Sequence, residues 1–332
     1  MIGQIESGNI KIRILANNAT SITLQTEKKF EGTVIQPHFD AVETVGEHGL
    51  GMSVSVFDGE KSHLFLFDTG SIKQSIIGNI EALNVKYNEI EKIVLSHGHF
   101  DHFGGLAAII PKLNEGTKIY MHSACFDQYH IIFTTTGEKI PLDELGPNLE
   151  MLVKEGKIIH RKLELLDKKV IYNLSNKNGV EIIETSEPMK LLEGIIISGE
   201  IEIFDKDEVS KGFYSEKSPQ VLEKHTFRDE NSLYINIKDK GLIILTGCGH
   251  AGIINTIKHA QKITGIDKVY AIIGGFHKEN QSLEAIKSAV GFIELLDPKL
   301  TCGVHCTGFE FNRAMRNHAS HTLGVVGTEF RL

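Results

Sequence analysis

The spacing of hydrophobic residues divides the chain into two strand-rich thirds and a less regular middle. In the first third, short apolar runs predict strands over residues 11–15, 21–24, 52–57, 63–67, 92–95 and 118–121. The strands 52–57 and 63–67 flank Asp58-Gly59, a dipeptide suited to a tight turn, so they predict a β-hairpin. Apolar residues at positions 72, 76, 80 and 83 recur with helical spacing, which predicts a helix capped by Ser71.

The regular pattern returns after residue 230. Apolar runs predict strands over residues 232–237, 242–245, 268–273, 300–304 and 328–332. Helices are predicted from Ile253 to near Gly265, after a cap at Ser282, and from about Phe309 to Arg316. Since each strand-rich part also carries helices, we predict an α/β (α+β) fold in which two mixed sheets pack face to face with helices outside.

The middle segment, residues 123–230, shows weaker periodicity and contains Thr134 to Gly137, Pro141 and Pro147. Short strands are predicted within it over residues 157–160, 180–183 and 194–197. We interpret the segment as an insertion in a single domain that spans residues 1–332. It either covers a site as a lid or elaborates the surface.

Composition narrows the classes of function. The chain has 332 residues, of which 41% are hydrophobic and 23% charged, with a formal net charge of −8. This balance is typical of a soluble globular protein and argues against nucleic-acid binding, which usually needs a basic face. No apolar run is long enough for a membrane helix, and the first residues do not resemble a signal peptide, so a cytoplasmic location is expected. Oligomeric state is not encoded in these patterns.

The segment Ser96-His97-Gly98-His99-Phe100-Asp101-His102 carries the clearest chemistry. It directly follows the apolar run 92–95, which predicts a buried strand. His97, His99, Asp101 and His102 offer imidazole nitrogen and carboxylate oxygen, which suit zinc, iron or manganese. The segment therefore predicts a metal site.

Three later turns offer further ligands, because each follows a predicted strand and contains a histidine. His97 and His99 suit one ion, while Asp101 and His102 suit a second, so each pair needs partners from elsewhere. The three turns supply His250, His277 and His305, and we expect at least two of these to be ligands. Cys248 and Cys306 are either thiolate ligands or buried, inert cysteines.

The order of these motifs resembles the metallo-β-lactamase superfamily, whose HxHxDH signature is matched by residues 97–102. One branch, described as dihydropterin-methyl ribofuranosylaminobenzene-phosphate synthases or as metal-dependent hydrolases, is more similar still. The matching segments are EHGL (47–50), FDTG (67–70), LSHGHFDHFGGL (95–106), TGCGH (246–250), GGFH (274–277) and HCTG (305–308). The resemblance implies an αββα sandwich fold. It also implies two divalent metal ions, with zinc expected ahead of iron or manganese, and it places Asp68 beneath these ions.

The chain departs from the superfamily where a bridging aspartate is expected. Thr246-Gly247-Cys248 stands there, so the bridge is missing or supplied by Cys248 or His250. The superfamily's third histidine of the first metal site has no obvious counterpart just before residue 232, where His225, Asp229 and Glu230 lie. The resemblance therefore implies His250 as the third ligand of the first ion. It implies His277 as the final ligand, with His305 as an alternative ligand or a catalytic histidine.

A phosphate site is predicted where Thr307 and Gly308 lead into a helix beside His305. The free N–H groups and the dipole of a helix start favour an anion. An ordinary helix start is the alternative interpretation. We expect a small-molecule substrate, which carries a phosphate group if this helix start binds an anion.

The sequence supports three hypotheses for the function. The main hypothesis is hydrolysis of a phosphate-containing or ester small molecule through a metal-bound hydroxide, with Asp101 orienting the nucleophile and His305 or His277 protonating the leaving oxygen. The second is a synthase-like transferase that acts on methanopterin-type precursors, as the resemblance implies. The third is a non-catalytic module that uses the metal to bind a ligand.

Overall fold

The computed structural model describes residues 2–29, 32–37, 43–135, 140–219 and 221–332. Thr136 and Gly137 of the predicted middle segment lie outside these residues. The strands are β1 (Ile10–Ala16), β2 (Glu27–Lys29), β3 (Gly32–Ile35), β4 (Gly51–Phe57), β5 (Ser62–Phe67), β6 (Ile90–Val94), β7 (Lys118–Met121), β8 (Tyr129–Thr134), β9 (Ile158–Lys162), β10 (Glu181–Glu184), β11 (Met189–Leu192), β12 (Ile195–Ile197), β13 (Phe213–Ser218), β14 (Val221–Lys224), β15 (Ser232–Ile237), β16 (Gly241–Thr246), β17 (Val269–Gly274), β18 (Leu300–Gly303) and β19 (Glu329–Arg331). The α-helices are α1 (Lys73–Ala82), α2 (Phe100–Phe103), α3 (Leu106–Ile109), α4 (Leu142–Leu145), α5 (Leu149–Lys154), α6 (Lys168–Lys177), α7 (Ile253–Thr264), α8 (Leu283–Leu296) and α9 (Phe309–Met315).

Two mixed sheets form the centre of the molecule. The first has the order β10-β7-β6-β5-β4-β1-β19-β3-β2, and the second has the order β11-β12-β15-β16-β17-β18. Their facing sides share one apolar core, in which Ile12 and Phe65 of the first sheet join Leu233 and Ile273 of the second. Burial of these alternate side chains removes apolar surface from water, which is the main force that holds the sheets together.

Helices cover the outer side of each sheet. Ile76 of α1 and Ile171 of α6 pack with Ile93 behind the first sheet, and Ile257 of α7 and Ile293 of α8 pack behind the second. The predicted αββα arrangement is therefore confirmed. Among the described residues, no helix combines the length and hydropathy that a bilayer crossing needs.

The predicted insertion, residues 123–230, divides between the sandwich and a separate sheet. Strands β10, β11 and β12 extend the two main sheets. Strands β8, β9, β13 and β14 form a four-stranded antiparallel sheet with the order β14-β13-β8-β9, which we call the small sheet. One face of the small sheet buries Ile132 and Ile158 against Leu145 and Leu152 of the short helices α4 and α5.

Most predicted elements agree with the structure, but the strand expected over residues 21–24 is wrong. That segment forms bends, and the nearby strand β2 begins at Glu27. Ile22 remains 43% exposed, so the segment has no buried face to stabilise pairing. The predicted hairpin is confirmed, because β4 and β5 pair antiparallel around Asp58-Gly59.

The cap of α1 also differs from the prediction. The N-cap residue of the helix is Ile72, not Ser71, and the Ile72 side chain makes no capping hydrogen bond. Instead, the Glu47 carboxylate accepts hydrogen bonds from the N–H groups of Ser71 (3.1 Å) and Ile72 (2.9 Å). A carboxylate at a helix start satisfies free N–H groups and interacts favourably with the dipole, so a distant residue replaces the local serine.

Substituting Glu47 should therefore destabilise the fold. We expect Glu47→Ala to reduce the free energy of unfolding by about 0.5–2 kcal/mol, the usual cost of losing a cap. The midpoint of urea unfolding checks this, with Glu81→Ala on the exposed side of α1 as the control. Equal midpoints for the two variants would contradict a capping role for Glu47.

Candidate metal centre

The histidine-bearing loops converge because their strands run parallel. Strand β5 pairs parallel with β6 in the first sheet, and β16, β17 and β18 pair parallel in the second. The carboxyl ends of parallel strands lie at one edge of a sheet, where loops build sites. Asp68 follows β5, the segment His97 to His102 follows β6, and His250, His277 and His305 follow β16, β17 and β18.

A first group of donors lies around His97. The Nε2 atom of His97 is 3.0 Å from Nδ1 of His99. Donor atoms of His97, Cys248 and His250 lie within 4.8 Å of one another, and all three residues are buried. Among the described residues, buried His250 Nε2 has no hydrogen-bond partner, so its lone pair is available to an ion.

A second group contains Asp101, His102, Cys248 and His305, whose donor atoms also lie within 4.8 Å of one another. His102 Nε2 is 3.1 Å from Cys248 Sγ, and His305 Nε2 is 3.2 Å from Asp101 Oδ2. The latter contact is short but lacks hydrogen-bond geometry, since His305 Nε2 has no hydrogen-bond partner in the described part of the chain. His305 Nε2 and Asp101 Oδ2 thus lie close together without a hydrogen bond, an arrangement that suits two ligands of one cation.

Cys248 also joins a third group with His277 and Cys306. The Cys306 thiol donates to the backbone carbonyl of Cys248 at 3.3 Å. Burial lowers the pKa of His277, but the neighbouring Cys306 outweighs this effect and raises it. The structure therefore separates the two late histidines: His305 lies with Asp101, whereas His277 lies beside the two cysteines.

Hydrogen bonds to the second ring nitrogen orient the histidines. Ser96 Oγ lies 2.9 Å from His97 Nδ1, Ser210 Oγ 3.3 Å from His250 Nδ1, and Asn18 Oδ1 3.2 Å from His305 Nδ1. Asp68 Oδ2 lies 2.7 Å from His102 Nδ1. In each of these four histidines Nδ1 has such a partner. Such partners fix the tautomer and the ring orientation of metal-binding histidines. Within the described residues Nε2 of His250 and His305 has no hydrogen-bond partner, whereas Nε2 of His97 and His102 faces another potential metal donor.

Asp68 is the strongest of these partners, because it is buried and also accepts from the Ser96 N–H at 2.7 Å. We expect Asp68→Asn to weaken metal binding about 10- to 100-fold, the usual cost of losing a partner of a metal-binding histidine. Asparagine tolerates the left-handed backbone found at this residue, φ 62°, so the change tests charge rather than folding. Competition with a chelator measures the affinity, and an unchanged value would contradict the role given to Asp68.

Burial keeps several donors in the form that binds metal. It lowers the pKa of His99 to about 3 and the pKa values of His97 and His250 well below the usual range. These rings are therefore neutral at neutral pH, with free lone pairs. His102 differs, because Asp68 and Asp101 outweigh burial and raise its pKa to about 9. A cation that binds His102 would displace a proton.

Two acidic residues ahead of β15 support the loops rather than enter the donor groups. The Asp229 carboxylate accepts from the Gly98 N–H at 2.9 Å and from the Tyr129 hydroxyl at 3.1 Å. The Glu230 carboxylate accepts from the N–H groups of His250 and Ala251, each at 2.6 Å. Asp229 thus fixes the first histidine loop, and Glu230 fixes the turn that carries His250.

Backbone strain is concentrated in the same loops. Asp68, His277 and His305 have φ values of 62°, 43° and 52°, in the left-handed region that few residues other than glycine adopt. Each such residue costs of order 1–3 kcal/mol and persists only where surrounding contacts enforce it. The fold therefore holds these side chains in place at an energetic cost.

A pocket of about 330 Å³ opens over the donors. Its floor includes His99, Asp101, Cys248 and His250, and the small sheet supplies other parts of its wall. The small sheet therefore lines one side of the pocket, and the choice between a lid and a surface elaboration stays a prediction. Tyr129 of β8 strengthens the connection through its bond to Asp229.

Thr307 and Gly308, the predicted phosphate-binding residues, do not line this pocket. Thr307 is buried, and its hydroxyl accepts from the Phe276 N–H at 3.0 Å and lies 3.3 Å from the Gly274 carbonyl. These bonds tie the turn after β18 to the turn after β17. The predicted role of Thr307 and Gly308 in substrate binding stays a prediction without support from this geometry.

His48 is a site residue that the sequence analysis missed. Its Nε2 lies 3.5 Å from Asp101 Oδ2, its ring lies 5.0 Å from that of His305, and it lines the pocket. The signal was available, because His48 belongs to the EHGL segment. Ser96, Ser210 and Asn18 gave no comparable signal, since single hydroxyl and amide residues are common in loops.

The donor set fits divalent metal ions. Imidazole, carboxylate and thiolate are the ligand types of zinc, and they also suit iron. Buried imidazole nitrogens without partners are costly unless something binds them. Within the described residues, His250 Nε2, His277 Nδ1 and His305 Nε2 are such atoms.

Comparison with known proteins agrees with this geometry. The sequence model of the metallo-beta-lactamase superfamily matches residues 49–161. A relative from Methanocaldococcus jannaschii, 7,8-dihydropterin-6-methyl-4-(β-D-ribofuranosyl)-aminobenzene-5'-phosphate synthase, is 34% identical over 268 residues, which cover 80% of this chain and 82% of the relative. An uncharacterized protein of the same organism is 25% identical over 286 residues, 84% of this chain and 94% of that protein.

A solved structure supports the fold. The crystal structure of a metal-dependent hydrolase of the beta-lactamase superfamily has a TM-score of 0.67 and 19% identity, and the match covers 96% of this chain and 98% of that one. At this identity the likeness concerns the fold alone. With the sequence relative at 34% identity, the αββα sandwich and the donor-bearing loops, the chain belongs to the metallo-β-lactamase superfamily, in the branch that contains the M. jannaschii synthase.

Proposed function

We propose that the chain is a metal-dependent hydrolase that acts on a phosphate-containing or ester small molecule. The observation that carries the proposal is the pair of donor groups that share Cys248 and contribute Asp101, Cys248 and His250 to the lining of a pocket. His97, His99 and His250 would hold one divalent ion. Asp101, His102 and His305 would hold a second, and Cys248, which belongs to both donor groups, would add a sulfur ligand. We propose zinc as the native metal.

The bound ions would supply a nucleophile, because divalent metals lower the pKa of water from 15.7 to about 7. A carboxylate is a hydrogen-bond acceptor, so Asp101 would orient the attacking water. His277 lines the pocket, and its Nδ1 has no partner among the described residues, so it would donate a proton to the leaving oxygen. In the net reaction, the water oxygen would form a bond to phosphorus or carbonyl carbon and the bond to the leaving oxygen would break. The leaving oxygen would take a proton from His277, and the proton lost by the water would restore protonated His277.

Hydrolysis is tested by loading the purified protein with zinc, manganese or iron(II) and screening phosphodiesters, phosphate monoesters and lactones. We expect one class to be hydrolysed, with activity lost after chelation and restored by the metal. His277→Gln should reduce kcat for substrates with a poor leaving group more than for those with a good one. A metal-loaded, folded protein that hydrolyses no class would contradict the proposal.

A second candidate function is that of the synthase relative. The identity of 34% over most of both chains favours it. In this reaction the amine nitrogen of a ribofuranosylaminobenzene phosphate would attack the methylene carbon of a dihydropterin-methyl diphosphate. The carbon–oxygen bond to diphosphate would break, and the amine would lose a proton. Incubating both substrates with the metal-loaded protein should then give the condensed product and diphosphate in equal amounts, and absence of product would exclude this candidate.

The two assays separate the candidates, since hydrolysis consumes water and releases an alcohol or acid without joining two substrates. The third hypothesis, a non-catalytic binding module, predicts metal binding without turnover in either assay. A cytoplasmic location and the absence of nucleic-acid and membrane partners stay predictions.

A further inference from the structure

One face of the small sheet is directed at the pocket, and it combines apolar residues with a single cation. Register places Phe213 of β13 opposite Ile131 of β8, and Ile131 opposite Arg161 of β9. All three side chains line the pocket, so they form a row across three strands. Phe133, two residues after Ile131 in β8, also lines the pocket, and so does Leu163, two residues after Arg161 and just past the end of β9. This spacing is expected, because every second residue of a strand points to the same face.

The opposite face of the same strands has a different role. Ile132 and Ile158 pack into the core of the small sheet, and Lys162 lies 3.7 Å from Glu216. Arg161 and Lys162 are thus adjacent cations on opposite faces of one edge strand. Only Arg161 lines the pocket over the metal-donor groups.

Within the described residues, the Arg161 guanidinium makes no ion pair with a carboxylate. Its guanidinium carbon lies 5.5 Å from the centre of the Phe100 ring, directly after His99 in the metal-donor loop. Stacking on an aromatic ring restrains a guanidinium while leaving its N–H groups available. The positive charge is therefore placed beside the donor groups without being neutralised.

The other charged residues at the pocket do not duplicate this arrangement. Lys211 precedes β13, is 78% exposed at its side chain and lies 3.7 Å from Asp207. Glu279 and Asp101 are the carboxylates of the lining. Asp101 lies among the metal donors, and Glu279 is exposed at the rim. Arg161 is consequently the cation best placed to select a ligand.

We propose that Arg161 is the anion-recognition residue of this pocket, binding a phosphate monoester group of the substrate while Ile131 and Phe133 contact its apolar part. Guanidinium matches phosphate through two parallel N–H···O bonds, which lysine does not provide. Half of the Phe133 side chain is exposed at the pocket mouth, which leaves apolar surface for a ring or chain. The inference deepens the proposed function and rests on it for the identity of the bound molecule as a substrate.

Binding of benzylphosphonate tests the inference, because this anion has an aromatic part and is not a hydrolysable ester. Isothermal titration calorimetry with the metal-loaded protein would compare Arg161→Gln, Arg161→Lys and the control Lys162→Gln. We expect Arg161→Gln to weaken binding about 10- to 100-fold, as for loss of charge-assisted hydrogen bonds, and Arg161→Lys to weaken it less. Lys162→Gln should retain the wild-type affinity, and the uncharged dimethyl benzylphosphonate should bind much more weakly than the anion.

An Arg161→Gln affinity equal to that of the wild type would overturn the inference, because the metals alone would then bind the anion. Failure of the wild-type protein to bind benzylphosphonate would overturn it as well. Since binding requires no turnover, an Arg161-dependent affinity in a protein that hydrolyses nothing would support the anion site and contradict only the proposed hydrolysis.

Discussion

Replacing His99 by alanine should reduce the activity of the metal-loaded protein by more than about 100-fold, beyond the 10- to 100-fold typical of residues that only support a ligand. The substitution removes Nδ1, which lies 3.0 Å from His97 Nε2. The first ion would then lose one of its three proposed histidine ligands, so the protein would bind it more weakly. Metal content after gel filtration should fall in parallel, which provides a readout that does not depend on knowing the substrate.

The matched control for His99→Ala is His160→Ala. His160 is a partly buried histidine of β9 that contacts His130 at 2.9 Å and does not line the pocket. We expect this variant to keep the wild-type metal content and activity. If His99→Ala also kept both, the first donor group would not be a metal site.

Cys248→Ala is expected to have the second largest effect, because Cys248 is shared by all three donor groups. Its sulfur lies 3.1 Å from His102 Nε2, and no carboxylate follows β16 to replace it. We expect metal content to fall from about two ions per chain to about one, with activity reduced more than about 100-fold. Cys248→Asp, which restores the carboxylate expected in the superfamily, should recover part of the metal content.

Cys302→Ala controls for the loss of a buried thiol, because Cys302 lies in the core between the sheets. It should leave metal content unchanged. Both ions retained in Cys248→Ala, with activity within about threefold of the wild type, would show that the sulfur is not a ligand. The bridge would then have to come from another residue.

Local pattern predicted the sandwich well, because its strands are apolar on the sides that pack. The predicted bounds 118–121 and 232–237 coincide with β7 and β15. The cap of α1 was not predictable in this way, since Glu47 lies 24 residues from Ser71 in sequence. The division of residues 123–230 was hidden for a related reason: β10 pairs with β7, and β12 with β15, through contacts between distant segments.

For the site, sequence identified the donors but not their grouping. His277 and His305 follow adjacent parallel strands, so spacing alone could not assign either to Asp101. The left-handed backbone at both residues directs their side chains, and the structure brings His305 to Asp101. The position of Arg161 depended on the register between β8 and β9, which alternation on one strand does not specify.

The proposed function requires that the chain bind two divalent ions at these donor groups. A crystal structure of the zinc-loaded protein, with anomalous differences recorded above and below the zinc edge, tests this most directly. We expect two peaks, one among His97, His99 and His250 and the other among Asp101, His102 and His305. A single peak, or peaks only at other histidines such as His130 and His160, would contradict it.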